Sequence, residues 1–316
     1  MKKSFSFILN PIEVIGEERI ELIPDHWLER ADEEQADLIR EKIAEFCGGM
    51  PFKPEYEREW IPDFVRPNGE KGEYRDLDKW RYWIISIPEI SLDSLTINLA
   101  VELLKNDLDL GFTQSYDENY EVTGISGFHW NTSRISSFFD PQNFHEIHPA
   151  KQIKDSEIKE ITKNHALIKS AEKSYPILNK ALQNFSQLKS LPRQSQLVTL
   201  GYFSIIEAIV THKPRLNESL DSLNHQVSTK MVLLSKKFQR LLDYDSHFGQ
   251  LEKDKVWKLL YGYRSALAHG IHADFKSEFK SLKDISNVLS FLKESVKLTL
   301  LLAMKDPEFI TDLKKC

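Results

Sequence analysis

Cysteine is scarce in this chain of 316 residues, which contains only two. Cys47 and Cys316 are far apart in the sequence, so they predict neither a disulfide framework nor the paired spacing of a metal site. His145 and His148 could supply two metal ligands, but no third ligand lies at a suitable spacing. We therefore expect no metal ion or other cofactor, and the low cysteine content favours a cytoplasmic location.

Phosphate-binding and nucleophile motifs are also missing. The chain has no glycine-rich phosphate loop and no Gly-x-Ser-x-Gly elbow, which removes support for nucleotide-binding and serine-hydrolase functions. The basic and then apolar amino end resembles a secretion signal, but Asn10 and Pro11 interrupt it and no small-residue cleavage site follows. The longest apolar run, 298–304, is too short for a bilayer. We expect no membrane segment.

The composition is that of a folded protein, with 41% hydrophobic and 28% charged residues, and the length allows two domains. Charge is divided unevenly along it. Residues 1–150 hold 15 basic and 30 acidic residues, whereas residues 151–316 hold 27 basic and 18 acidic residues. The basic half is the candidate for binding phosphates. The split is equally compatible with two differently solvated surfaces.

The first half mixes strand and helix patterns, and we expect residues 1–150 to form an α+β domain with a sensing or regulatory role. The predicted elements are strands over 5–9 and 12–15, a helix over 31–46, a loop over 51–79, a strand over 82–87, a helix over 92–106 and a strand within 119–128.

From about residue 152 the apolar spacing is helical throughout. The first predicted helix carries the stripe Ile158, Ile161, His165 and Ile168, and the second follows Pro176. The others cover 194–212, 221–242, 254–269 and 283–304. We expect residues 151–316 to form an all-α bundle, with a linker near residues 140–149.

The fifth of these helices carries the stretch LYGYRSALAHG, residues 260–270. On a helical wheel, one face is apolar and should point into the bundle: Val256, Leu259, Leu260, Tyr263, Leu267 and Ile271. The other face combines aromatic, small and chemically active residues: Trp257, Tyr261, Arg264, Ser265, Ala268 and His269. Gly262, Ser265 and Ala268 would let another backbone approach closely. Gly270 should end the helix and leave His269 in its last turn.

Arg264 and His269 are five residues apart, which is about 140° around a helix. That angle is awkward for one small ligand on one helix, but two copies of the helix could present two such pairs to a shared groove. Histidine can serve as a general base or acid, and arginine can hold a phosphate with its planar guanidinium. This chemistry suits metal-free cleavage of RNA, in which the 2′-hydroxyl attacks the phosphate.

The spacing alone is weak evidence for a site, because 12 arginines and 10 histidines in a chain of this length give roughly 0.4 such pairs by chance. The flanking residues add more: LYGYRSALAHG resembles the Leu-Tyr-x-x-Arg-Ser-x-x-x-His-Gly signature of the HEPN superfamily, particularly its ApeA-like branch. Residues 197–213 look like that family's second conserved helix, with Glu207 at its acidic position. Residues 223–238 resemble the next helix, although Lys230 stands where the branch commonly has arginine. The resemblance covers about 155–305.

The resemblance implies a HEPN-like bundle, a homodimer and a ribonuclease in which Arg264 and His269 are catalytic, with Ser265, Glu207 and Tyr261 in support. It further implies antiphage defence or toxin-like growth arrest, with a regulatory protein or a phage-derived trigger acting through residues 1–150. Glu207 is expected to orient Arg264 as an ion-pair partner or to be a partly exposed surface acid.

Three alternatives stay open. Arg264 and His269 could be an ordinary surface arginine and a capping histidine. The bundle could be a non-catalytic module that binds RNA, a nucleotide or a protein. Residues 1–150 could instead be the working domain, with the bundle serving only for dimerisation.

Overall fold

The computed structural model describes residues 3–46, 54–65, 71–88, 92–106, 108–124, 150–172, 176–192, 194–215 and 221–316. The chain divides into two compact units, Met1–His165 and Ala166–Cys316. The first combines strands and helices, and the second is helical. The predicted order, an α+β part followed by an α-helical part, is confirmed.

The strands of the first unit are β1 Lys3–Ile8, β2 Ile12–Val14, β3 Arg19–Ile23, β4 His26–Arg30, β5 Arg58–Val65, β6 Lys71–Asp76, β7 Trp83–Ile87, β8 Leu110–Tyr116, β9 Val122–Gly124 and β10 Lys151–Ile153. Six of them form one antiparallel sheet in the order β3-β4-β7-β1-β8-β9. Strand β1 is central because it pairs with β7 on one side and β8 on the other.

The main core of this unit lies between the sheet and helix α1, Glu33–Phe46. Phe5 and Phe7 of β1 and Phe112 of β8 are buried against Ile39 and Ile43 of α1. Alternation along β1 sends the intervening serines to the opposite face. There, Ser6 shares a 2.9 Å hydrogen bond with Thr113. Helix α2, Leu92–Glu102, completes the helices that the structure describes before residue 150.

Residues 151–165 belong to the first unit, beyond the expected limit at residue 150. Strand β10 pairs in parallel with β2. The first turns of helix α3, Asp155–Glu172, bury Ile158 and Ile161. The Thr162 hydroxyl also donates a hydrogen bond to the backbone oxygen of Leu22, at 2.8 Å. The division therefore falls within α3, between His165 and Ala166.

The expected loop over 51–79 is wrong, because β5 and β6 form a hairpin there. Most side chains of this hairpin are exposed or half-buried, so its sequence lacks the alternation that marks a half-buried strand. Strands β3, β4 and β8 were also not predicted. The strand over 5–9, the helix over 31–46 and the strand over 82–87 are confirmed within two residues; the helix expected over 92–106 ends at Glu102.

The second unit contains the end of α3 and the helices α4 Pro176–Gln187, α5 Gln196–Val210, α6 Leu223–Leu234, α7 Tyr244–Phe248, α8 Lys253–Ala268, α9 Ile285–Lys305 and α10 Pro307–Lys315. Their starts are encoded locally. The side chains of Ser195, Ser222 and Asp284 accept backbone N–H groups in the first turns of α5, α6 and α9. These caps satisfy donors that a helix leaves unpaired.

Two features of this unit differ from the sequence prediction. The helix expected over 221–242 ends at Leu234, and a separate helix, α7, starts after Asp243, whose carboxylate accepts the Ser246 N–H at 3.0 Å. Helix α10 was not predicted, although Asp306 and Pro307 supply an N-cap and a first-turn proline.

Helix α9 is the longest of the bundle at 21 residues, and it carries lysine and glutamate side chains along its length. No helix in the described ranges combines the length and the apolar character needed to cross a bilayer.

Candidate active site

Helix α8 ends as the sequence predicts, with His269 as its C-cap and Gly270 in the left-handed region at φ +68°. The Gly270 N–H donates to the Leu267 oxygen at 3.2 Å, and the Ile271 N–H donates to the Ala266 oxygen at 2.9 Å. These two hydrogen bonds form a Schellman motif, which fixes the direction of the chain leaving the helix. The backbone at His269 is therefore held by the fold.

The inward face of α8 is largely as predicted, since Val256, Leu260 and Tyr263 are buried. Two assignments were wrong. Trp257, placed on the outer face, is fully buried and donates a hydrogen bond from Nε1 to the Tyr244 hydroxyl at 2.8 Å. Its neighbour comes from α7, a helix that the sequence did not reveal. Ile271, placed on the inner face, is 60% exposed because it follows Gly270, where helical periodicity no longer applies.

Arg264 faces helix α5, where it forms an ion pair with Glu207. Its terminal nitrogen NH2 lies 3.3 Å from Glu207 Oε2, with 28% of the arginine side chain and 16% of the glutamate side chain exposed. The guanidinium also lies over the ring of Tyr261, 5.5 Å from the ring centre. Of the alternatives left open for Glu207, the structure has the ion pair with Arg264.

The ring of Tyr261 also packs against Phe203 of α5. The two rings meet edge to face with their centres 5.8 Å apart. Sequence analysis did not single out Phe203, because it is one apolar residue among many on α5 and only the packing of α5 against α8 reveals its contact. Phe203, Tyr261, Arg264 and Glu207 therefore form one packed group, which limits the orientations available to the guanidinium.

Burial raises the pKa of Glu207 above its ordinary value, and the nearby Arg264 cation and the Tyr261 hydroxyl only partly oppose this shift. Burial likewise raises the pKa of Tyr261, and the negative charge of Glu207 adds to the increase. Within the described residues, Glu207 Oε1 and Arg264 Nε are buried atoms without a hydrogen-bond partner. The ion pair thus leaves hydrogen-bonding capacity on both residues unused.

His269 and Ser265 lie on the solvent side of the same helix. His269 is exposed, and its side chain makes no hydrogen bond or ion pair with another residue in the described part of the chain. Ser265 is half-buried, and its backbone oxygen accepts the His269 N–H at 3.1 Å. The structure therefore brings Arg264, Glu207 and Tyr261 together, whereas His269 stands apart from them at the helix end.

Part of the small-residue face of α8 is covered by the same chain. A β-carbon placed on Gly262 would lie 3.7 Å from Cε1 of Phe279. Phe279 is buried and also packs against Tyr263, with ring centres 5.5 Å apart. Gly262 thus has an ordinary side-chain contact with the segment that follows the helix, and the close backbone approach expected there stays a prediction. Ala268 and His269 stay exposed.

His145 and His148, the two candidate metal ligands, lie in 125–149, outside the described residues. Among the residues that are described, no group of three or more histidine, cysteine, aspartate and glutamate side chains is placed to hold a metal ion.

Comparison with known proteins gives no relative for this chain: no protein-family model, no curated protein and no solved structure matches it.

Proposed function

We propose that the chain is a metal-independent endoribonuclease of the HEPN type, acting as a homodimer. The observation that carries the proposal is the pairing on helix α8 of a fixed arginine with an exposed histidine. Arg264 is held by Glu207 and Tyr261, and His269 is exposed at the end of the helix, where Gly270 fixes the backbone. A fixed cation for the phosphate and a mobile proton carrier are the two requirements of RNA transesterification.

In the proposed reaction, the ribose 2′-oxygen attacks phosphorus as its proton passes to a base, and the bond from phosphorus to the 5′-oxygen breaks as that oxygen gains a proton. His269 acts as base or acid, and the guanidinium of Arg264 neutralises the extra charge on the phosphate. The products carry a 2′,3′-cyclic phosphate and a 5′-hydroxyl. DNA, which lacks the 2′-hydroxyl, is not cut.

In the proposed homodimer, a second copy of the chain brings an arginine and a histidine close to each other. Arg264 points toward α5, and the described contacts include none between Arg264 and His269. We propose that two α8 helices face each other, so that Arg264 of one protomer and His269 of its partner contact the same phosphate. The basic excess of residues 151–316 favours RNA on this part of the chain.

The biological setting follows from the same family resemblance. We propose antiphage defence or toxin-like growth arrest in the cytoplasm, with residues 1–150 receiving a regulatory protein or a phage-derived trigger. Their acidic balance makes RNA binding by that part unfavourable.

The ion pair also favours a second candidate, a non-catalytic module that binds RNA, a nucleotide or a protein. Arg264 already has a carboxylate partner, so a phosphate must compete with Glu207 for it. A protein that only binds would tolerate this competition, whereas an enzyme must overcome it in each cycle.

An RNA cleavage assay in excess chelator separates these functions. We expect wild-type protein to cut mixed RNA, and Arg264→Ala and His269→Ala to lose cutting. Arg240→Ala and His225→Ala are matched controls, since Arg240 is also ion-paired to a glutamate and His225 is also exposed. RNA binding without cutting in any protein would favour the binding module. If the purified enzyme is inactive without its trigger, toxicity in cells provides a second test. We then expect expression of the wild-type protein to be toxic and the same two substitutions to relieve that toxicity.

A further inference from the structure

A pocket of about 190 Å³ lies within the second unit, away from Arg264 and His269. Four helices contribute to its walls: the start of α4, the end of α5, the end of α9 and all turns of α10. The lining residues that decide its shape and chemistry are Pro176, Ile177, Ala208, Ala303, Pro307 and Lys314.

Small and rigid side chains keep this space open. Ala208 and Ala303 project little from α5 and α9, and Pro176 and Pro307 start α4 and α10. The pocket opens to solvent, because Ile177, Ala208 and Thr311 of its lining are exposed. A leucine in place of Ala208 would fill part of it. The open space is therefore a property of the chosen side chains.

Hydrogen bonds at both ends of Lys314 hold α10 over the pocket. The Lys314 ammonium donates to the Ala208 oxygen at 2.6 Å. The Lys314 backbone oxygen accepts from Nδ1 of His212 at 2.9 Å and from the Lys230 ammonium at 3.4 Å. Because the last turn of α10 is fixed by three contacts, the pocket is not a gap left by a loosely attached helix.

The chemistry of the lining defines the ligand. Nearly all of the lining is aliphatic. The Thr311 hydroxyl already donates its hydrogen bond to the Pro307 oxygen, at 2.8 Å. Lys314 is the charged residue of the lining, which contains no acid. An ammonium has three N–H donors, and the Ala208 oxygen takes one. The pocket thus offers an apolar interior with a single positive group at its edge.

We propose that this pocket binds a monocarboxylate with an aliphatic chain of about eight carbon atoms, since its volume exceeds the roughly 150 Å³ that accommodates benzene in an apolar cavity. The chain occupies the aliphatic interior, and the carboxylate pairs with Lys314. This site is independent of the proposed ribonuclease, so its failure would leave that function untouched.

Calorimetric titration of the full chain with octanoate, 1-octanol and octylammonium tests the proposal. We expect saturable binding of octanoate, weaker binding of octanol and the weakest binding of octylammonium. Lys314→Gln should reduce octanoate affinity about tenfold and leave octanol affinity unchanged. Lys315→Gln is the control, because Lys315 is the adjacent lysine, is 71% exposed and does not line the pocket.

Two further variants address the interior. Ala208→Leu fills the pocket from an exposed helix position, and Ile177→Ser removes an apolar wall at a residue that is 56% exposed, so both should fold. Each should weaken octanoate and octanol together, with an unchanged circular dichroism spectrum. The proposal is overturned if octanoate shows no saturable binding, if Lys315→Gln weakens it as much as Lys314→Gln, or if folded Ala208→Leu binds both ligands like wild type.

Discussion

The carboxyl of Glu207 is subject to two opposing effects, burial on α5 and the positive charge of Arg264 on α8. Burial dominates, so its pKa in the folded protein lies above the ordinary 4.5. The fold thus favours the protonated form of Glu207 more than the unfolded chain does. Any phosphate that displaces Glu207 from Arg264 meets a carboxyl that is easier to neutralise than a surface acid.

This shift predicts a pH-dependent stability. Below pH 4.5, Glu207 is protonated in both states, and its stabilising contribution is complete; as pH rises through the raised folded-state pKa, that contribution is lost. Glu207→Gln, which keeps the neutral shape, should lack this loss. We therefore expect the unfolding free energy of the variant, measured relative to wild type by urea denaturation, to increase between pH 4.5 and pH 7.

The Arg264→Ala variant tests the opposing effect of the cation on Glu207. Because the positive charge is removed, we expect the pKa of Glu207 to rise further. A carbon-detected NMR titration of both proteins measures this pKa. A Glu207 pKa at or below 4.5 in wild type, or a decrease in Arg264→Ala, would contradict this description of the pair.

Helix α8 illustrates which parts of the site could be predicted from the sequence. Its span, its end at Gly270 and its buried face follow from apolar spacing and from one glycine, since these signals act within a single helix. Trp257 was misplaced and Phe203 was missed, because their surroundings depend on neighbouring helices. The pairing of Glu207 with Arg264 was one of the alternatives raised by an acid on an otherwise apolar helix, and only the packing of α5 against α8 shows which holds.

The same distinction applies to the first unit. Strands with a buried face, β1 and β7, were predicted from their apolar residues. The β5–β6 hairpin was not, because its side chains are mostly exposed and, among the described strands, β5 and β6 pair with each other and not with the large sheet. Strand β8 is largely buried on both faces, and its sequence LGFTQSY mixes polar and apolar residues. Its place beside β1 follows from pairing across about a hundred residues of sequence.

Gly262 gives a prediction about α8 itself. A β-carbon there would make an ordinary contact with Phe279 at 3.7 Å, and glycine within a helix is less stable than alanine by about 1 kcal/mol. Gly262→Ala should therefore increase the free energy of unfolding by about that amount in chemical denaturation. A decrease would mean that something other than Phe279 needs the space, such as the second copy expected from the sequence.

Gly270, eight residues further along, should respond in the opposite direction. Its φ of +68° is unfavourable for a residue with a side chain, although no atom lies within 4 Å of the position of a β-carbon. We expect Gly270→Ala to lower the free energy of unfolding by about 1–2 kcal/mol. Hydrogen exchange should show faster exchange at Gly270 and Ile271, whose N–H groups form the Schellman motif. Unchanged exchange there would contradict the assigned helix end.

At the scale of the whole molecule, the composite site predicts complementation between two inactive proteins. Arg264→Ala and His269→Ala each destroy both sites of a homodimer. A dimer formed from one of each keeps one intact pair, so co-expressed proteins should recover up to about a quarter of wild-type RNA cleavage. Both variants should sediment as dimers. Dimers without any recovered cleavage would mean that each site uses one protomer's own pair.

The net charge is −15 in residues 1–150 and +9 in residues 151–316. Under the proposed function, RNA and the trigger would be received by different parts of the chain.

Cleavage of RNA in excess chelator, with the ends of the products identified, tests the proposed ribonuclease mechanism. The proposed mechanism predicts 2′,3′-cyclic phosphate ends from wild type, Arg240→Ala and His225→Ala, and none from Arg264→Ala or His269→Ala. Cleavage that persists in both of the latter, or that needs a divalent metal ion, would contradict it.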